Sequence, residues 1–167
     1  MKEALCTIAV AMLASSCAGA AFAQDLPSVK MIPSRLAFEA AQAAIDACAS
    51  RGFRVSASVV THDGATKLML TGDGAGPVAT ITSRLKAYTA GTIGITSGQL
   101  GETVAKLPGG AFPPIDTNIN IMVYAGGVPI KVGDEVLGGL GVGGSDNPAV
   151  DEACANAGLA KIANRLM

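Results

Sequence analysis

The segment Asn118–Ser145, NINIMVYAGGVPIKVGDEVLGGLGVGGS, decides the fold because it predicts three consecutive β-strands. In the first, apolar residues alternate with polar or smaller ones until Tyr124–Gly127 turns the chain. Gly133–Asp134 is a tight-turn signal between the second and the third. A packed antiparallel core is therefore expected. The predicted strands contain Ile119, Ile121 and Val123, then Val128–Val132, then Val136–Val142.

Glycines are concentrated in this segment. Gly138, Gly139 and Gly141 lie inside the third predicted strand, where glycine is unfavourable unless a backbone or a ligand approaches closely. Gly126–Gly127 has two interpretations. The pair forms a turn that needs positive φ, or it leaves a surface without side chains for a flat ligand or a neighbouring subunit. Both can hold at once.

The rest of the chain alternates between helical and strand patterns. Apolar residues recur at helical spacing after Ser34, a residue type that caps helices. The alternation over Phe53–Val59 predicts a half-buried strand, and His62–Gly64 predicts a hairpin turn after it. The order of elements indicates an α+β domain with a five-stranded, mostly antiparallel sheet and helices packed on it. The remaining predicted elements are helices Ser34–Ser50, Val78–Ala90, Gln99–Lys106 and Pro148–Arg165, and strand Thr66–Leu70.

The N-terminal sequence predicts a secretory signal peptide. An apolar run at Ala4–Leu13 precedes the A-x-A cleavage motif Ala21–Ala23. The run is shorter than the roughly 20 residues that span a bilayer, which disfavours the alternative of an anchor helix; a lipoprotein at Cys17 is the other alternative. Cleavage predicts a periplasmic or secreted protein without a membrane attachment. The predicted divisions are signal peptide 1–23, tether 24–33 and domain 34–167.

Composition disfavours several classes of function. The formal net charge is −1, and the chain has no tryptophan, two tyrosines and four phenylalanines. Nucleic-acid binding needs a basic surface, and base or sugar stacking needs aromatic platforms, so neither is expected. The 50 % share of hydrophobic residues, against 15 % charged, fits extensive burial that includes subunit interfaces.

Two cysteines, Cys48 and Cys154, remain after cleavage. An oxidising compartment permits a disulfide between them. Each also lies in an alanine-rich helical pattern where a small buried thiol packs well, so the sequence leaves both states open. Two cysteines and one histidine are too few for a zinc cluster.

No set of catalytic residues emerges. The single histidine and the lack of a G-x-S-x-G motif exclude a nucleophilic triad. Asp63 and Asp73 flank one hairpin, where turn aspartates are ordinary. The glycines of Thr71–Pro77 do not follow the order of a phosphate-binding loop. The interpretation of the chain as an enzyme is therefore less favoured than a binding role.

The chain resembles the GlcG/HbpS family of small haem-binding proteins over Phe38–Leu159. The most specific part is AGGVPIKVGDEVLGGLGVGGS followed by DEACANAGL, and LKAYTA, FEAAQAAIDA and VSASVV match further family segments. The resemblance implies a profilin-like layered domain that self-assembles into a homo-oligomer. It also implies that the protein binds haem, or a similar flat cofactor, for sequestration or sensing.

Candidate haem-binding residues follow from this resemblance and from ligand chemistry. His62 is the only histidine, and imidazole is a common axial ligand of haem iron; the alternative is a polar residue at a hairpin tip. Lys86 and Tyr88 lie in the LKAYTA segment, where they are candidates for holding a propionate and facing the iron. The alternative is a packed Tyr88 and a solvated Lys86. The candidates for cofactor binding are His62, Lys86, Tyr88, Thr89, Gly126, Gly127 and Pro129, with His62 and Tyr88 as metal ligands.

Two departures from the family pattern leave alternatives open. Relatives have V-V-D-x-x-G-x-L and then R-M-D-G-A, whereas this chain has Val59–Gly64 and Leu70–Ala75 with the aspartate displaced and the arginine and methionine missing. If that arginine balances a ligand carboxylate, this protein binds a different ligand or binds more weakly. The alternatives are a small enzyme acting on haem or on a small hydroxyacid, and an oligomeric interaction module without a ligand.

Overall fold

The computed structural model describes residues 28–110 and 121–166 of the chain. Within these residues the chain forms four helices and four strands, with 3-10 turns at Pro108–Gly110 and Ala163–Arg165. The predicted α+β class is confirmed. The elements are α1 (Ser34–Ala49), β1 (Ser56–Thr61), β2 (Thr66–Thr71), α2 (Pro77–Ile93), α3 (Ser97–Ala105), β3 (Gly127–Val132), β4 (Glu135–Gly143) and α4 (Pro148–Ile162).

The sheet of the described residues has four strands, not the expected five. The strand order is β2-β1-β4-β3, and all neighbours are antiparallel. The strand that is not confirmed is the one expected around Ile119–Val123. Residues 121–123 belong to no strand, and residues 119–120 lie outside the described ranges. The amide of Met122 donates to Thr89 Oγ1 at 2.8 Å, so this amide is bonded to a helix side chain and not to a neighbouring strand.

Helix α2 lies very close to one face of the sheet because β4 presents glycines to it. A Cβ on Gly139 would collide with the carbonyl oxygen of Ala87, and one on Gly141 with that of Ser83. Strand β1 contributes small polar side chains to the same contact, with Ser58 Oγ 2.8 Å from Ser83 Oγ. The close approach expected from these glycines is therefore that of a helix backbone.

The opposite face of the sheet carries the hydrophobic core, which it shares with α1 and α4. Val59, Leu140 and Val142 are fully buried there. A disulfide joins Cys48 of α1 to Cys154 of α4, with their Cα atoms 5.6 Å apart. Helices thus cover both faces, and β1, expected to be half-buried, is buried along its whole length.

Some element ends differ from the expectation for local reasons. Helix α1 begins at Ser34, but Pro33 occupies the cap position and makes no side-chain cap bond, so Ser34 is not the cap. Helix α2 continues to Ile93 and ends at Gly94, whose φ of 79° is left-handed. Helix α3 begins with a capping box formed by Thr96 and Gln99.

The residues just before α1 contact the domain. Ile32 is buried in the core, and Lys30 Nζ lies 2.8 Å from Glu135 Oε2. Both residues fall in the expected tether but contact the domain. The expected signal peptide lies outside the described residues. No helix within residues 28–110 and 121–166 combines the length and apolar character needed to cross a membrane.

Candidate functional site

A cleft of about 470 Å³ opens beside the N-terminal half of α2. The residues just before β3 and the loop that leads into α4 form its other sides. Its volume falls in the range of roughly 300–1,000 Å³ that is typical of small-molecule sites. The cleft is therefore large enough for a cofactor. Its apolar walls include Val78, Ala79, Met122, Tyr124 and Pro148.

A buried ion pair also lines this cleft. Lys86 Nζ lies 2.6 Å from Asp151 Oδ2, and the two side chains are 5 % and 2 % exposed. The second carboxylate oxygen of Asp151 accepts a hydrogen bond from the amide of Ser145 at 3.2 Å. Charges are tolerated at such depth only when they are paired and hydrogen-bonded. The expected alternative of a solvated Lys86 is wrong.

The Gly126–Gly127 pair makes room for this ion pair. Gly126 has a φ of 127°, and a Cβ there would lie 2.8 Å from Lys86 Nζ and 2.9 Å from Asp151 Cβ. A Cβ on Gly127 would collide with the carbonyl oxygen of Lys86. Of the two interpretations of the pair, the turn with positive φ holds at Gly126, and the atoms that approach both glycines belong to this chain.

Two buried hydroxyls fix the backbone along the β3 side of the cleft. Ser97 Oγ donates to the carbonyl of Tyr124 at 2.7 Å and accepts from the amide of Gly127 at 2.8 Å. Thr89 Oγ1 accepts from the amide of Met122 at 2.8 Å. Tyr124, 64 % exposed, is thereby held at the rim. Thr89, one of the candidate binding residues, acts on the cleft through Met122.

Tyr88 and His62 lie away from the cleft, at the β1–β2 turn. The Tyr88 ring packs against Gly64, whose φ is 85°. Residues two apart on a helix project to nearly opposite sides, so Lys86 and Tyr88 do not converge. His62 is half-buried, and its Nδ1 is buried without a hydrogen-bond partner among the described residues. The candidate residues thus separate into two groups.

The β1–β2 turn is stabilised by Asp63. Its Oδ1 accepts hydrogen bonds from Thr61 Oγ1 and, at 3.3 Å, from the amide of Ala65. Both bonds lower the pKa of the Asp63 carboxyl, and the bond from Thr61 has the larger effect. Asp63 therefore has the ordinary role of a turn aspartate. Pro129, the remaining candidate, lies in β3 opposite Gly139 and does not line the cleft.

Asp151 and Tyr124, two residues of the cleft, were not among the predicted site residues. Asp151 was visible only as an acidic residue in the first turn of the last helix, and Tyr124 only as part of a turn. Met122 and Tyr124 carry a thioether and a phenol, both of which occur as iron ligands in haem proteins. The one available signal for Tyr124 was its position two residues before Gly126–Gly127.

The fold resembles that of several solved structures. A double mutant of HbpS from Streptomyces reticuli matches with a TM-score of 0.75 and 28 % identity, over 95 % of this chain and 97 % of that one. A crystal structure of HbpS matches with a TM-score of 0.74 and 31 % identity, over 81 % and 93 %. The crystal structure of a PduOC:Heme complex matches with a TM-score of 0.70, over 80 % and 96 %. Its 20 % identity supports the fold alone.

The sequence comparisons assign the family. No curated protein matches the chain. A family model described as "Haem degrading protein HbpS-like" matches residues 32–160. This range covers most of the chain and extends from the buried Ile32 almost to the end of α4. The chain therefore belongs to the HbpS-like family.

Proposed function

We propose that this protein binds haem, or a similarly flat cofactor, in the cleft beside α2. The observation that carries the proposal is an apolar cleft of about 470 Å³ in a member of the HbpS-like family. The PduOC relative was crystallised as a haem complex. The charged groups of the cleft, Lys86 and Asp151, are engaged with each other, so sequestration or sensing of haem is the role that we favour.

The residues of the cleft fit this group. Its apolar walls suit a flat macrocycle, and Met122 and Tyr124 offer two side chains of the iron-ligand type. Haem, when bound, supplies a redox-active iron. The bonds to Thr89 and Ser97 fix the backbone at Met122 and Tyr124, so both side chains start from anchored positions.

Lys86 has a different role from holding a propionate. Its ammonium group is engaged with Asp151, and a second carboxylate would compete with that pair. We assign Lys86 to lining the cleft and keeping Asp151 neutralised. His62 and Tyr88 remain the candidates for a competing site at the β1–β2 turn.

A haemin titration followed through the Soret band tests the proposal. The purified protein should give a saturable, shifted Soret band, and Met122→Leu or Tyr124→Phe should weaken binding or move the band. The chain provides matched controls for both changes. Met31→Leu alters another methionine, which does not line the cleft, and Tyr88→Phe alters the other tyrosine.

The variants also distinguish the cleft from the alternative site at the β1–β2 turn. If only His62→Ala or Tyr88→Phe changes the band, haem binds at the β1–β2 turn and the cleft is not the site. A Soret absorbance that rises linearly with haemin, without saturation and identically in all variants, would show that the protein does not bind haem.

Haem breakdown is the second candidate, favoured by the family description, which names haem degradation. The complex would be exposed to hydrogen peroxide, or to a reductant with dioxygen, beside free haemin under the same conditions. Faster loss of the Soret band than in free haemin, with release of iron, supports degradation. A band as stable as that of free haemin, or more so, supports sequestration or sensing.

We also propose that the protein is exported and acts in the periplasm or outside the cell. The disulfide between Cys48 and Cys154 is fully buried, and disulfides persist in oxidising compartments. The mass of the protein recovered outside the cytoplasm should correspond to a chain that begins at Gln24. A protein that stays cytoplasmic with its N-terminal residues intact would contradict export.

A further inference from the structure

We propose that Lys86 captures an uncharged aldehyde or ketone in the cleft by forming a Schiff base with it. This reaction needs no haem, so it goes beyond the function proposed above. Three features of the cleft support it: the burial of the Lys86 amine, the carboxylate of Asp151 beside that amine, and the apolar walls.

The amine of Lys86 is almost withdrawn from solvent, yet it borders an open space. The side chain is 5 % exposed, and it lines the cleft of about 470 Å³ beside α2. Lysines that form Schiff bases typically have such surroundings, because desolvation disfavours the ammonium form and favours the nucleophilic amine. A ligand in the cleft therefore lies next to an amine that is shielded from bulk water.

Asp151 is placed to take the proton that blocks this amine. Its Oδ2 lies 2.6 Å from Lys86 Nζ, and no second hydrogen-bond partner of Nζ is found within residues 28–110 and 121–166. Transfer of the proton converts a buried ion pair into a neutral pair, which relieves the desolvation cost of both charges. The amide of Ser145 donates to the other oxygen, Oδ1, at 3.2 Å. The carboxylate is thus held with Oδ2 towards the amine.

The reaction balances with Asp151 as the proton carrier. After Asp151 accepts a proton from the ammonium group, the amine bonds to the carbonyl carbon, the C=O π bond opens, and the oxygen takes that proton from Asp151. Asp151 then moves a second proton from the nitrogen to the new hydroxyl group, the C–O bond breaks, and water leaves as the C=N bond forms. The product is a positively charged iminium beside the Asp151 carboxylate. The buried charge pair is therefore retained, and no oxidant or reductant is required.

The lining of the cleft selects the class of carbonyl compound. Val78 and Met122 belong to its apolar walls, and its charged residues other than Lys86 are the acidic Asp146 and Asp151. A 2-oxo acid would bring its own carboxylate beside Asp151, which is an unfavourable juxtaposition of like charges. An uncharged aldehyde or ketone with an apolar body contacts the walls without this repulsion.

Reductive trapping with benzaldehyde and sodium cyanoborohydride, on the purified protein without haemin, tests the capture. Cyanoborohydride delivers hydride to the iminium carbon and fixes the ligand as a benzyl group, which peptide mass spectrometry assigns to a residue. At neutral pH Lys86 should be labelled at least about tenfold faster than the exposed Lys106, Lys131 and Lys161, because amines in water are almost entirely protonated there. Glyoxylate, a small 2-oxo acid, should not show this preference for Lys86.

Matched changes of lysine to arginine control for charge. Lys86→Arg keeps a cation beside Asp151 but cannot form a Schiff base, because its guanidinium group stays protonated, so the fast label should disappear. Lys106→Arg changes the exposed residue at the end of α3 and should leave the labelling of Lys86 unchanged. Unfolding in guanidinium chloride should abolish the preference for Lys86, since the preference depends on the folded cleft.

Labelling of the folded wild-type protein at Lys86 no faster than at the exposed lysines would overturn the capture, as would a preference that persists after unfolding. The peptide map of the wild type decides this even if Lys86→Arg does not fold. If glyoxylate shows the same preference for Lys86 as benzaldehyde, the capture stands and the assignment to uncharged carbonyl compounds is wrong. Because haemin is absent from this experiment, its result and that of the haemin titration are independent of each other.

Discussion

Lys86 Nζ lies 2.6 Å from Asp151 Oδ2, and this contact joins two helices that pack on opposite faces of the sheet. Both side chains are almost completely buried, yet both line the cleft. The pair therefore links the stability of the domain to the shape of the proposed site.

Removal of one partner should be strongly destabilising. Lys86→Met leaves the Asp151 carboxylate buried without its cation, and we expect the free energy of unfolding to fall by about 3–5 kcal/mol. Urea denaturation followed by circular dichroism measures this change.

The double variant Lys86→Met/Asp151→Leu is the control. It removes both charges and should recover most of the loss, because well-packed apolar residues often replace a buried pair at little cost. A double variant as unstable as the single one would mean that packing around Lys86, rather than its charge, stabilises the domain.

The β3–β4 hairpin shows what the sequence can predict. Its turn at Gly133–Asp134 and both strands agree with the expectation to within one residue at each end, because turn chemistry and apolar alternation are local signals. The strand expected around Ile119–Val123 carried the same alternation. Its described part instead bonds to Thr89 Oγ1, and no local pattern reveals a partner 33 residues away.

The site was less predictable because its contacts are not local. Lys86 and Asp151 are 65 positions apart, and the spacing of neither residue indicates the other. The LKAYTA segment pointed to Lys86 and Tyr88 together. Helical geometry then places one at the cleft and the other against Gly64. The resemblance in sequence thus identified Lys86 and Tyr88 as residues of interest, but it did not indicate on which side of the helix each of them lies.

Gly141 should tolerate no side chain. A Cβ there would collide with the backbone of α2 at Ser83 and Ala87, so Gly141→Ala must push the helix away from the sheet. We expect a loss of about 1–3 kcal/mol, the usual range for overpacking, or more because the obstacle is backbone. Thermal unfolding measures it. Gly76→Ala is the control, because a Cβ at Gly76 meets nothing within 4 Å; equal melting temperatures for the two variants would contradict the close packing.

The disulfide should contribute strongly to stability. Cys48 and Cys154 are separated by 106 positions, and cross-links that close long loops restrict the unfolded chain most. The double variant Cys48→Ala/Cys154→Ala should lose about 2–5 kcal/mol in urea denaturation. A thiol reductant should lower the unfolding free energy of the wild type and leave the variant unchanged. A wild-type protein indifferent to the reductant under unfolding conditions would contradict this contribution.

Acid should weaken the contact between α1 and the C-terminal turn. The pKa of the Glu39 carboxyl lies below its ordinary 4.5 because Arg165 donates a hydrogen bond to it. A second hydrogen bond, from Arg35, lowers the pKa further but has a smaller effect. A lowered folded pKa stabilises the protein above the unfolded value, and this stability is lost as pH falls through the folded pKa. The melting temperature of the wild type should therefore approach that of Glu39→Gln below pH 4.5. Glu102→Gln, at an exposed residue of α3, is the control. A difference in melting temperature between the wild type and Glu39→Gln that stays constant across the acid range would contradict the assignment.

Ser97 should connect stability with ligand binding. Its buried hydroxyl is bonded to the carbonyl of Tyr124 and the amide of Gly127, so Ser97→Ala leaves both groups without this partner. We expect a loss of about 1–3 kcal/mol together with weaker haemin binding, because the backbone that presents Tyr124 is released. Ser58→Ala is the matched control, since it removes another buried hydroxyl, bonded to Ser83 on the sheet side of α2. It should lower stability alone, and equal haemin affinities for the two variants would show that Ser97 does not position the Tyr124 side of the cleft.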